Sequence, residues 1–207
     1  MKDFNLKTIL HYVNYCFHPL LMTSFAVFIL FNSGYYLSHL NPDIQKVIYS
    51  IFFISTCVIP LLFIPILYYF GIISSFLNPI KSDKIIILFT TTIIYSLSYY
   101  FMTRISMPPI LINVILSAVI LNVISLLIYF FKSFSLYTLG WGAMLGYIVF
   151  LAGIKALTVL NIGILVIFFT GLIGTIRLYL NRNKPKEVYL GYLIGFIVFY
   201  ISNLVLS

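Results

Sequence analysis

Acidic residues are nearly missing from this chain: four Asp and Glu in 207 residues, with only 8% charged residues of any kind. A soluble domain carries about a quarter charged residues. At 62% apolar, this composition excludes both a soluble globular domain and a disordered chain. Cysteine is scarce too. Cys16 and Cys57 lie in or beside apolar stretches and are too few for a disulfide framework, which leaves two thiols packed in the membrane. No carboxylate falls inside a long apolar run, where a proton-coupled transporter or an ion pump would need one. His11, His18 and His39 are the only histidines, and none has a metal-ligand spacing to a neighbour. No metal and no other cofactor is expected, and the imidazoles read as interfacial and solvated. Twelve basic residues scattered through so apolar a chain argue against a nucleic-acid partner.

What is abundant is hydrophobic length. A helix needs about 20 mostly apolar residues to cross the hydrocarbon core. Reading between charges, Pro and Gly gives seven spans, at about 19–38, 47–72, 84–103, 109–131, 136–154, 157–180 and 188–206. Asn41-Pro42-Asp43 separates the first two, and Asn78-Pro79 precedes Ser82-Asp83, an N-cap for the third. Pro108-Pro109 opens the fourth, and Pro185 with Glu187 opens the seventh, where a fixed φ and an acid at the positive dipole end suit a helix start. Lys2 and Lys7 precede the first span, which reads as a retained helix because no small-residue cleavage site follows it. The expected fold is all-α: a polytopic integral membrane helix bundle of about seven transmembrane helices in a single domain, residues 1–207. The count is six if Gly153 and Lys155 mark a kink instead of a boundary.

Within the spans, polar groups are isolated. Asn113, Asn122, Asn161 and Asn203 read as amides that bond across helices. Gly142 and Gly146, and again Gly191 and Gly195, place two glycines four apart on one helix face, which allows close backbone approach between the fifth and seventh spans. Basic residues gather where the third, fifth and seventh spans begin. Lys84 opens the third, Lys132 closes the fourth, and Arg177, Arg182, Lys184 and Lys186 join the sixth to the seventh. Such a bowl suits a phosphate through charge-assisted, bidentate contacts, and it equally suits ordinary topology-setting charge.

The spacing adds to this. Arg177 is followed after five residues by Asn183, after three more by Glu187, and then by a helix carrying Gly191 and Gly195. This resembles the third signature of the type-2 phosphatidic acid phosphatase superfamily of membrane lipid phosphatases: Arg, five residues, His, three residues, Asp, then a Gly-containing helix. Lys132 through Gly142 resembles the second signature, with Tyr137 where the family has its His. Ser82-Asp83-Lys84, followed by Thr91 and Tyr95, resembles the first, basic signature without its Arg-Pro pair. His18-Pro19-Leu20-Leu21-Met22 resembles the N-terminal helix of bacterial members. The resemblance places a phosphatase-like core at residues 82–195 and implies a bacterial cytoplasmic (inner) membrane. In the family, the third-signature His attacks phosphorus, the Asp orients it, and the second-signature His protonates the leaving alkoxide. Asn183 is no nucleophile, and a phenol such as that of Tyr137, with a pKa of about 10, is poorly matched to proton transfer at pH 7. The positions Tyr137, Asn183 and Glu187 therefore read as vestigial, with no catalytic residue among them. His11 and His18 precede the first span and His39 lies on the opposite side, so none of them replaces the lost imidazoles.

The leading expectation is a catalytically degenerate lipid-phosphatase-like pseudoenzyme that binds phospholipid or polyprenyl-phosphate headgroups through Lys84, Lys132, Arg177, Arg182 and Lys184, or serves as a membrane subunit beside a membrane-protein partner. An active phosphatase with rearranged residues, using Glu187 as base, is the first alternative. The second is a purely structural subunit whose 17 Tyr and 20 Phe face partner helices. Sidedness stays open. Nine of the twelve basic residues fall on the site's side against Lys46, Arg104 and Lys155 on the other, which points that side to the cytoplasm. The family presents it to the opposite compartment, and five of the nine could serve the headgroup.

Overall fold

The computed structural model describes residues 10, 17–74, 79–154 and 159–207; Lys2, Lys7, His11, Cys16, Asn78 and Lys155 lie outside the described residues. Among these there are helices and no strand. A 3-10 turn, Pro19–Leu21, leads into α1 (Met22–Phe31). Six longer helices follow: α2 (Pro42–Tyr69), α3 (Lys81–Arg104), α4 (Pro109–Phe131), α5 (Leu136–Gly153), α6 (Val159–Tyr179) and α7 (Pro185–Leu206). These six are long and apolar enough to cross a membrane, and the chain is a polytopic integral membrane bundle.

The six arise differently from the sequence expectation. The fifth and sixth spans are separate helices, α5 and α6, while the first span does not reach across. Pro19–Phe31 rises only about 20 Å, some two-thirds of the hydrocarbon thickness. Gly34 then turns at φ 71°, and the 3-10 turn Tyr36–His39 follows. Gln45 Nε2 donates to the carbonyls of Leu37, Ser38 and Leu40 at 3.0–3.2 Å, so this irregular segment is satisfied by protein. α1 is thereby a short helix set inside the bundle, with Ala26, Val27 and Leu30 fully buried.

Helix starts follow from local chemistry. Pro occupies the first turn of α2, α4 and α7, where its missing N–H is no loss. α3 begins at Lys81, so Asp83 is its third residue and not the cap. Its carboxylate reaches back to the Ile80 N–H at 3.2 Å. A π-turn at Ile54–Val58 breaks the ladder of α2; Thr56 there accepts the Tyr95 hydroxyl on its carbonyl at 3.0 Å and pairs its own hydroxyl with Ser24.

α5 lies at the centre, buried on most of its circumference. Its closest neighbour is α7, and the four glycines form the seam. A Cβ on Gly142 or Gly146 would overlap the carbonyl of Tyr192 or Phe196, and one on Gly191 or Gly195 would overlap the first turns of α5 at Thr138 and Leu139. This close approach sets the starts of α5 and α7 side by side. Ser135 donates its N–H to the Glu187 carbonyl at 3.2 Å across that junction.

Candidate functional site: a cationic mouth over an apolar cavity

The end of α6 builds the site by local geometry. Asn181 takes a left-handed conformation, φ 52°, just past the helix, a role that Asn fills when Gly does not. The Arg182 N–H then bonds the Arg177 carbonyl at 3.1 Å, and the Asn181 N–H bonds that of Leu178 at 3.0 Å. This paired closure reverses the chain within three residues and carries Asn183 back beside the Arg177 side chain. Asn183 Oδ1 accepts from Arg177 Nε at 3.0 Å and from Nη2 at 2.7 Å. Its Nδ2 donates to Glu187 Oε2 at 2.8 Å, and the same oxygen accepts the Lys184 N–H that opens α7. The amide is thus fixed at both ends, a neutral spacer between a guanidinium and a carboxylate.

The aromatic side completes the setting. Arg177 Cζ lies 4.5 Å from the centre of the Tyr137 ring, a cation–π stack. His18 packs nearly perpendicular to that same ring at 5.5 Å. Its Nδ1 accepts the Leu20 N–H at 3.3 Å and so caps the 3-10 turn that leads into α1. Burial, and secondarily the Arg177 charge, hold this imidazole well below its ordinary value, at about 4, so it is neutral near pH 7. The expectation of a solvated, bystander His18 is corrected here. Because α1 is short and seated against α5, the residue before it is drawn into the site.

His18, Lys84, Tyr137, Arg177 and Arg182 line one cavity of about 450 Å³. Below them its wall is largely apolar, formed by Leu88, Leu121, Ala118, Met144 and Phe199, with Thr91, Asn122 and Tyr95 among them. Lys84 and Tyr95 are eleven residues apart on α3, a rise of about 16 Å, near half the hydrocarbon thickness. Lys84 is half-buried, and its ammonium makes no hydrogen bond or ion pair among the described residues. Arg177 and Arg182 share the cavity with it, whereas the remaining two predicted cations, Lys132 and Lys184, do not line it. Lys132 is exposed at the end of α4, near Lys81, which donates to the Phe130 carbonyl at 3.1 Å. Lys184 is exposed and borders a shallow surface pocket with Arg182, Asn183 and Glu187.

Of the isolated amides, Asn113 bonds across to the Leu206 carbonyl, Asn203 bonds within α7 to Phe199, Asn161 is exposed, and Asn122 faces the cavity. The sequence reading missed His18 and Asn122. A His-Pro pair at a helix start was the one signal for the first, and nothing marked the second. Among the described residues no three His, Cys, Asp or Glu side chains converge to hold a metal. Comparison with known proteins gives no match to any family model, any curated protein or any solved structure.

Proposed function

We propose that this protein is a catalytically degenerate, lipid-phosphatase-like membrane protein that binds an anionic phosphate headgroup at Lys84 and Arg177, with the attached hydrocarbon in the cavity beneath. One observation carries the reading: Lys84, Arg177 and Arg182 line the mouth of the same cavity whose depth is walled by apolar side chains and reaches about one leaflet. Free phosphate would use only the mouth, whereas a lipid phosphate would use both parts. The three acids of the described residues do not oppose an anion as free charges. Asp43 pairs with Lys46, Asp83 caps α3, and Glu187 is held by Asn183 and the α7 start. The resemblance to the phosphatase signatures supports the phosphate as headgroup, and Asn183 and Tyr137 at the places of its two histidines argue against hydrolysis. It also favours a bacterial cytoplasmic membrane as the location.

The test uses the full chain in a non-ionic detergent, with phosphatidate, undecaprenyl phosphate and inorganic phosphate as separate probes. Binding of one or both lipids, at least tenfold tighter than inorganic phosphate, is the expected result. Lys84→Ala should weaken lipid binding about tenfold, one charge-assisted contact, and leave the melting temperature unchanged because Lys84 holds no partner. No phosphate should be released. Equal affinity for all three probes would remove the apolar cavity from the reading. Phosphate release abolished by Arg177→Ala would replace a degenerate protein with a working phosphatase.

A further inference from the structure

We propose that His18 is a third contact of the anion site, its Nε2–H donating to the phosphate that Lys84 and Arg177 attract; this rests on the headgroup reading above. A neutral imidazole has one donor and one acceptor nitrogen, and the partner of one fixes the other. Nδ1 accepts the Leu20 backbone N–H, so it carries no proton and Nε2 does. Nε2 has no acceptor among the described residues, although the ring lines the cavity. An unpartnered N–H on the wall of a cavity is available to donate to a ligand oxygen.

The Tyr137 ring holds the arrangement in register. Arg177 stacks over it at 4.5 Å and His18 packs against it at 5.5 Å, so one phenol sets the spacing of a guanidinium and an imidazole donor. Lys84 comes to the same space from α3, and its ammonium interacts electrostatically with Arg177. Three donors from α3, α6 and the segment before α1 thus surround one volume. His18 extends the site to the N-terminal part of the chain, outside the phosphatase-like core at residues 82–195.

The competing account is a purely structural cap on the 3-10 turn, and two substitutions separate them. The amide oxygen of Asn reproduces the Nδ1 acceptor, and the amide nitrogen of Gln reproduces the Nε2 donor. The probe is dodecyl phosphate titrated into the full chain in non-ionic detergent, with the melting temperature recorded for each variant. His18→Asn should keep the melting temperature near that of the unaltered protein and lose about tenfold in affinity. His18→Gln should bind within about threefold of the unaltered protein while melting lower. Undiminished binding by His18→Asn would overturn the proposal, and so would a loss that His18→Gln shares in full. Absence of binding by the unaltered protein would instead overturn the headgroup site itself. Should His18→Asn not fold, the Nε2–H resonance of His18 decides: it shifts on adding dodecyl phosphate if the proton is donated, and its constancy refutes the contact.

Discussion

The starts of α3 and α7 use the same device to different ends. In each, the third helical residue is an acid that turns back to the N–H at the cap position: Asp83 to Ile80, and Glu187 to Lys184. Asp83 is buried, and its carboxylate also accepts the Ser74 N–H at 3.0 Å and the Ser74 hydroxyl at 2.6 Å. These bonds tie the chain before α3 to the start of that helix. Glu187 spends its second bond on Asn183, and Asn183 spends its carbonyl on Arg177. One carboxylate ends in structure, while the other is linked through a single amide to the cavity. On the proposed headgroup reading, capping and ligand binding are therefore separable at α3 and joined at α7.

The largest effect that tests this contrast is Asp83→Ala. It leaves at least three donors without their acceptor and removes an acid from the dipole end of α3, a loss of about 3 kcal/mol. Thermal unfolding in detergent should show a clear drop, while the folded fraction binds dodecyl phosphate no more weakly than before. Weakened binding would mean that the α3 cap, too, is wired to the site.

Asn183→Ala should act the other way. Without its neutral spacer, the guanidinium of Arg177 is free to close on the Glu187 carboxylate, and a paired Arg177 offers the cavity little charge. Affinity for dodecyl phosphate should fall about tenfold, 1.4 kcal/mol, with a smaller change in melting temperature than Asp83→Ala. Unaltered affinity would show that Arg177 is oriented by its Tyr137 stack alone.

These residues differ in how far the chain itself disclosed them. Arg177, Asn183 and Glu187 are readable because their contacts are six and four residues apart, and the left-handed Asn181 closes the turn locally. The glycine seam is readable because spacing by four survives on any helix. Membrane spans are readable from apolar length, but hydropathy is blind to where a helix stops. Asn32, Ser33 and Gly34 interrupt the first span, and the carbonyls beyond them depend on Gln45, which no window average registers. The place of His18 in the site was hidden for a related reason, although its His-Pro pair marked a helix start. Its neighbour Tyr137 lies more than a hundred residues on, and only the packing of a short α1 against α5 brings the two together. Lys132 errs in the opposite sense: its place at the correct end of α4 is evident, but its side chain is exposed there and does not enter the cavity.

The smallest effect isolates the imidazole of His18. His18 binds its proton at about 4 in the folded protein, below the ordinary 6.5 of an unfolded chain. Between those values the unfolded state holds more protons, so stability rises with pH there. The contribution is complete above about pH 6.5 and is lost progressively as pH falls toward 4. Going from pH 7 to pH 5.5 should cost about 1 kcal/mol through this group. Every other titration is common to the unaltered protein and His18→Asn, so the difference between the two melting curves isolates the ring. The unaltered protein should lose stability faster than His18→Asn across that interval. Parallel curves would mean that His18 is as solvated in the folded protein as in the unfolded one, and the cavity wall would then lack a neutral imidazole.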